Sequence, residues 1–467
     1  MAKTVVVPPA AVAELQHGFD QIRSENEVPT SFPPAVLAAA AEAAKMPFTD
    51  GHVDRTDLAF VTLDPASSTD LDQAFVIERG VGDDLILRYA IADVPWFVTP
   101  GGALDTEAWA RGVTTYLPDG RAGLYPPTLS EAAVSLLPDG PRPAVVFIVR
   151  VGSDGAVALD GVERGVIRSR AKLAYETATA ADLPADFDEL ATRITAAEDR
   201  RGASRVEAPE QEVEPDGSGG YRIAFRPRLH NEDSNAAMSL ATNLAVADVL
   251  FAHHTGLFRV MAEPDERSVR RLRFTAKALD LSWPENLELG PFQRTLDPNA
   301  PKQAAFLMAV RRAGGGADYA PFVEGVVPWH AAMAATYCHA TAPLRRLADR
   351  YVVEAAMSVA NGAAVPDHVR AAFAQLPEVM DKADSRSSRV ERAVIDLVEA
   401  VALKGREGQS FDAVVTDVDD RGARIQLADP AVVARVSAHH VEPGDAFPVR
   451  LVSADVAKRT VTFERIG

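Results

Sequence analysis

The chain has 467 residues, 47% of them apolar and 24% charged, which is enough for roughly two to four domains with a substantial core and excludes a largely disordered protein. A formal net charge of −18 argues against diffuse, non-specific binding to nucleic acid and leaves room only for binding through local contacts in a narrow channel. The single cysteine, Cys338, excludes an internal disulfide framework or a thiolate metal site and fits a reducing cytosol.

The first residues carry one lysine and too short an apolar run for a signal peptide. No segment reads as the ~20 apolar residues that cross a bilayer. The expectation is a cytoplasmic protein that does not engage a membrane. Residues 1–55 hold two alanine-rich helical patterns. The first runs Ala10–Ser24, with Val12, Leu15, Phe19 and Ile22 at helical spacing. The second runs Ala35–Lys45, its start marked by Ser31, Pro33 and Pro34. Together they predict a helical element of helix-turn-helix type.

Residues 56–403 read as one large α+β domain. Strands are predicted at Leu58–Leu63, Ala74–Glu78, Leu85–Ala92 and Ala144–Val151. Helices are predicted at Asp186–Arg201, Asn235–His253, Pro343–Asn361 and Val379–Lys404, the last with Arg386, Arg389 and Arg392 on one side. The first strand runs into Thr62-Leu63-Asp64-Pro65-Ala66-Ser67-Ser68-Thr69-Asp70-Leu71-Asp72-Gln73-Ala74. Asp64, Asp70 and Asp72 supply the carboxylates that a hard divalent cation needs. Mg²⁺ typically takes one or two of them and fills its shell with water and phosphate oxygens. An ordinary turn would use the same residue types. A calcium EF-hand loop is excluded, because the glycine and glutamate of that pattern are missing.

The second informative run is Tyr337-Cys338-His339-Ala340-Thr341-Ala342-Pro343-Leu344-Arg345-Arg346-Leu347-Ala348-Asp349. Thr341 suits a helix N-cap and Pro343 the first turn. Free N–H groups at such a start attract anions, and Arg345 and Arg346 would lie just inside it with forked donors for phosphate. The competing structural role is an Arg345–Asp349 pair one turn apart. His339 reads as a hydrogen-bonded core histidine or as a base or ligand. Residues 407–467 then give five short strands, Phe411–Val418, Ala423–Leu427, Val432–Val436, Ala446–Leu451 and Thr460–Phe463, the pattern of an OB-fold barrel.

The aspartate run resembles the signature of the ribonuclease II family, whose catalytic domain is called RNB. It matches at Thr62, Asp64, Pro65, Asp70, Asp72 and Ala74. The second run resembles another motif of that family, matching at Tyr337, His339, Thr341, Pro343, Arg345, Arg346 and Asp349. The resemblance implies an RNB domain followed by an RNA-binding OB domain. It implies a 3′→5′ exoribonuclease that degrades single-stranded RNA processively to nucleoside 5′-monophosphates. Asp64, Asp70 and Asp72 would hold Mg²⁺, with Mn²⁺ as the alternative. Arg345 would contact the scissile phosphate and Arg346 would support it. Tyr116 would stack on a base and Tyr175 would sit near the terminal nucleotide; a core-packing role competes for both tyrosines. The family gives Cys338 no nucleophilic role and His339 no metal. No obligatory protein partner is evident.

Three positions depart from the family pattern. Gln73 stands where a fourth aspartate is usual, and its amide oxygen could still coordinate weakly or through water. Ala236-Ala237 precede Met238-Ser239-Leu240-Ala241-Thr242-Asn243, where paired glutamates are usual. Val206 replaces an aromatic that clamps the RNA end. The clamp on the last bases should therefore be looser than in typical relatives. Gln73 and Ala236-Ala237 keep open a catalytically impaired RNB-fold RNA-binding or regulatory protein, and a phosphodiesterase preferring DNA is a separate alternative.

Overall fold

The computed structural model describes residues 5–6, 11–47, 51–203, 210–215, 220–226, 228–297, 300–419, 422–427, 429–438, 440–442 and 444–466. Val206 lies outside the described residues.

A seven-stranded sheet forms the centre, in the order Ala171–Ala174, Val61–Asp64, Gln73–Arg79, Leu85–Ala92, Arg142–Val151, Val157–Ile167, Val53–Asp54. The inner strands pair antiparallel and the two edge strands join in parallel. Leu85, Leu87 and Tyr89 alternate into the core, as a strand period of two requires. Helices His230–Ala252 and Leu347–Ala360 pack on the sheet and on each other. The first of these is long and apolar enough to cross a membrane by length and composition, with a mean hydropathy of 1.3, and it was not expected to be. It lies instead within the core, burying Met238, Ala241, Val246 and Leu250.

The helix Asp367–Leu403 has 37 residues and is therefore about 55 Å long. It starts a dozen residues before the predicted Val379 and runs through Pro377, which removes one N–H from the ladder and crowds the carbonyl one turn back. Val390, Val394, Leu397 and Val398 on it receive Leu15, Phe19 and Ile22 of the N-terminal helix Val12–Glu25. The second N-terminal helix, Pro34–Ala43, packs instead on Ala103–Arg111. The two helices thus dock on different parts of the large domain. Each turns an apolar face to its partner there.

Five strands, Ser410–Asp419, Gly422–Leu427, Val433–Val436, Ala446–Asp455 and Thr460–Arg465, close into a barrel. Its interior is filled by Phe411, Val415, Ile425, Leu427, Val449 and Phe463. The barrel is tied to the long helix by Glu399, which accepts from Val433 N at 2.9 Å and from Gln211 Nε2 at 2.6 Å. It is tied to the N-terminal helix by Glu25 with Arg459 at 2.6 Å.

Candidate active site

Asp64 closes the strand Val61–Asp64, and Asp72 immediately precedes the neighbouring strand Gln73–Arg79. The connecting turn is fixed by Ser135, whose hydroxyl donates to Thr69 O at 2.7 Å and accepts from Leu71 N at 2.9 Å. Asp72 is 5% exposed. Its Oδ1 accepts from Leu344 N at 2.7 Å, and its Oδ2 lies 3.6 Å from Arg345 Nε. The two sequence motifs therefore meet at one carboxylate. The Arg345 side chain is 47% exposed, so about half of it is open to a ligand.

The turn bearing Arg345 is not the helix start that was expected. Arg346 is extended, bridges to Val113, and leaves the helix to begin at Leu347. Thr341 makes no cap; its hydroxyl pairs with Ser239 at 2.8 Å. The turn is held by the fully buried Asp349. Asp349 accepts from Thr341 N at 3.1 Å, Ala342 N at 2.8 Å, Arg346 Nε at 2.9 Å and Arg346 Nη2 at 2.7 Å. Arg346, not Arg345, is thus the partner of Asp349, in a forked geometry. That pairing leaves Arg345 free to face Asp72.

A hairpin, Thr115–Leu117 with Gly120–Ala122, closes over the aspartates. Tyr116 on it is 50% exposed, with its hydroxyl 3.4 Å from Asp70 Oδ2. Arg121 pairs with Asp70 and donates to Thr69 Oγ1 at 2.6 Å and to Glu131 Oε1 at 2.9 Å. The base of the hairpin is stitched to the other motif: Thr114 N donates to Arg345 O at 3.0 Å, and Leu347 N to Gly112 O at 2.9 Å. Gly112 has φ +73°, and a Cβ there would stand 2.5 Å from that of Ala383, so a glycine is required. Arg121 was not foreseen. Its partner lies 51 residues away, and no local pattern marks the pair.

Tyr175 lies on the Asp64 side, its N–H donating to Asp64 O at 3.2 Å. Asn235 donates to Tyr175 Oη at 3.0 Å and to Leu63 O at 3.3 Å. A neutral amide thus approaches this tyrosine from the helix on which glutamates were expected. Gln73 opens the strand directly after Asp72. Its Nε2 donates to Thr341 O at 2.8 Å and its Oε1 accepts from the buried Tyr89 hydroxyl. The Tyr89 hydroxyl thus takes one of the two lone pairs of this amide oxygen. His339 accepts or donates to Tyr319 Oη at 3.0 Å and packs edge-on to Tyr337, as a core histidine does. Cys338 is buried with its thiol on Asn243 O, a packing role.

Burial pushes the Asp64 carboxyl up to about 7 and that of Asp72 up to about 8, against the opposing pull of Arg345 on both. Burial also raises the Tyr175 phenol to about 12, with the Asp64 charge adding to it. Among the described residues, no three His, Cys, Asp or Glu side chains form a complete ligand cage. Two carboxylates nevertheless keep donor capacity. Asp64 Oδ2 is buried without a hydrogen-bond partner, and Asp72 Oδ2 has only the Arg345 Nε noted above. A pair of buried carboxylates with open oxygens is what an Mg²⁺ ion sharing its shell with water and phosphate requires. Asp70, already charge-paired with Arg121, is the least available of the three aspartates.

A family model described as the RNB domain matches residues 52–359, and one described as the RNase II-type exonuclease C-terminal S1 domain matches residues 409–466. The chain is 27% identical over 447 residues to a protein named Ribonuclease R from Thermotoga maritima, covering 88% of this chain and 62% of that one. It is 26% identical over 501 residues to Ribonuclease R of Aquifex aeolicus, covering 96% and 70%. The chain thus spans only some six- to seven-tenths of the length of these relatives. A solved structure, Mycoplasma genitalium RNase R in complex with ribose methylated single-stranded RNA, superposes with a TM-score of 0.86 at 20% identity, covering 97% of this chain and 78% of that one. That likeness establishes the shared fold.

Proposed function

Because the chain belongs to the RNB-domain, ribonuclease II-type family, we propose that it is a 3′→5′ exoribonuclease that hydrolyses single-stranded RNA processively to nucleoside 5′-monophosphates. The observation that carries this reading is the meeting of Asp72 with Leu344 N and Arg345. It sets a half-exposed guanidinium beside a buried carboxylate, the pair of charges that phosphoryl chemistry calls for.

In this reading Arg345 binds the scissile phosphate and neutralises charge as it develops on the phosphorus oxygens. Asp64 and Asp72 would hold a divalent cation, Mg²⁺ or Mn²⁺, with Asp70, paired to Arg121, as an outer partner. The cation supplies Lewis-acid polarisation of a phosphoryl oxygen. Arg346 keeps the Arg345 turn in place through Asp349. Tyr116 offers an exposed ring for base stacking, worth ~1–3 kcal/mol and indifferent to sequence. Tyr175 accepts a hydrogen bond from Asn235, so its own proton points elsewhere, towards a terminal ribose or phosphate. Recognition is of backbone, sugar and stacked bases. The OB-type barrel adds RNA contacts, and the site of action is the cytoplasm, with no obligatory protein partner.

The test is incubation with 5′-labelled poly(A) and Mg²⁺, with and without chelator. Stepwise shortening from the 3′ end, stopped by chelator, is the expected result. An intact but shifted band favours the second reading, an RNA-binding or regulatory protein. That reading draws support from Gln73, whose amide is committed to Thr341 and Tyr89 where the family has a carboxylate. A DNA oligomer of the same sequence, left uncut, excludes a general phosphodiesterase.

A further inference from the structure

The N-terminal helix has no assigned task, yet it touches the active-site hairpin at several points. Arg23 on it pairs with Asp119, which sits at the hairpin tip between Leu117 and Gly120. Leu117 of the hairpin is buried in the same apolar cluster as Leu15, Phe19, Ile22 and Val28. At the hairpin base, Arg111 Nη2 donates to Ser31 O at 2.7 Å, and its guanidinium lies 3.8 Å over the Phe32 ring. Tip, middle and base of the hairpin are thus all held by residues 23–32 and the helix before them.

From the other side, the hairpin carries Tyr116 and Arg121 against Asp70. A two-stranded hairpin of three residues per strand has no independent stability. Its position over the aspartates must be fixed by whatever packs behind it. The rest of the domain secures its base through Arg345 O, Leu347 N and Arg386, which donates to Arg111 O. Among the contacts at the tip, the Arg23–Asp119 pair belongs to the N-terminal helix.

We propose that the segment of residues 12–32 is a brace that positions the Tyr116 hairpin over Asp70, with Arg23 as its positioning residue at the tip. This rests on the reading of Tyr116 as an RNA contact. Arg23 touches no reacting atom and acts through the hairpin. It raises affinity for single-stranded RNA by cutting the conformational freedom that the Tyr116 ring would otherwise lose on stacking.

The test uses the full chain and a fluorescein-labelled adenylate oligomer, with anisotropy read in chelator so that nothing is hydrolysed. Tyr116→Ala is expected to weaken binding about tenfold, the low end of a base–aromatic stack. Arg23→Gln and Asp119→Asn should each weaken it about threefold to fivefold. The charge swap, Arg23→Asp with Asp119→Arg, should return it to within about twofold of the wild type. In the Tyr116→Ala background, Arg23→Gln should cost nothing further, because coupled residues are not additive. Wild-type affinity in both Arg23→Gln and Asp119→Asn, or a full additional loss on Tyr116→Ala, overturns the brace. If one single variant does not fold, the other attacks the same pair from the opposite side. Failure of the wild-type protein to bind the oligomer would sink the RNA reading itself, a different result from wild-type binding that ignores Arg23.

Discussion

Asp349→Ala is predicted to be the most destabilising single change at the site, although Asp349 touches no substrate in the proposed reading. The side chain is fully buried and accepts four hydrogen bonds, two from Arg346 and two from the backbone of Thr341 and Ala342. Removing one partner of a buried ion pair costs ~3–5 kcal/mol. Each orphaned N–H adds about 1–3 kcal/mol if no water reaches it. These contributions share one network and do not sum, so the expected loss is about 4 kcal/mol, or roughly 5–10 °C in the melting temperature of a domain this large. Asp349→Asn keeps an acceptor oxygen and should lose less, though it leaves Arg346 without its counter-charge. Thermal unfolding and urea midpoints measure the first effect. The second is functional: at a temperature where the variant is folded, the Arg345 turn is loose, and turnover should fall by at least tenfold with RNA affinity changed much less. Stability within about 1 kcal/mol of the wild type, or full turnover in a folded Asp349→Ala protein, would refute the role given to this carboxylate.

Asp72→Asn should abolish hydrolysis while RNA binding survives; near-normal degradation by that variant would remove Asp72 from the metal site. Arg345→Ala should lower kcat by about a hundredfold or more with affinity nearly unchanged, whereas a pure KM effect would make Arg345 a clamp. Chelation should stop hydrolysis without lowering the melting temperature by more than a few degrees, since among the described residues no cluster of three His, Cys, Asp or Glu side chains ties the core to a metal. Glu399 gives a pH signature away from the site. Burial raises its carboxyl from 4.5 to about 7 in the folded chain, against the hydrogen bonds from Val433 and Gln211. Between those values the folded state holds a proton that the unfolded state has lost. This contribution to stability is therefore whole below pH 4.5 and drains away as pH rises through 7, by on the order of 3 kcal/mol. Glu399→Gln should flatten that slope in urea titrations across the window; an unchanged slope would assign the proton elsewhere.

Much of the fold was legible because the chemistry was local. The barrel strands were marked by alternation and turns, and Leu85–Ala92 was placed to the residue. The aspartate run and the arginine run could be read as two halves of a site because each carries its own pattern. What joins them could not. Leu344 N on Asp72, Thr341 O on Gln73 and Arg121 on Asp70 are tertiary contacts over long separations, and no periodicity encodes them. The error at Thr341 has the same origin. Its residue type and the following proline predict a helix start, but pairing of Arg346 with Val113 extends the backbone there and delays the helix to Leu347. Local propensity lost to a long-range bridge.

The hydrogen bond from Leu344 to Asp72 also bears on the life of the chain before it is finished. A ribosome that has made the aspartate loop but not yet the arginine turn exposes Asp72 with no Arg345 guanidinium opposite it and no Leu344 N–H to aim it. If the protein cuts RNA as proposed, the nascent polypeptide cannot attack the message that encodes it until residue 345 has been made and has left the ribosome. Separating the halves of the centre along the chain would in that case keep the nuclease silent while the intervening residues are synthesised.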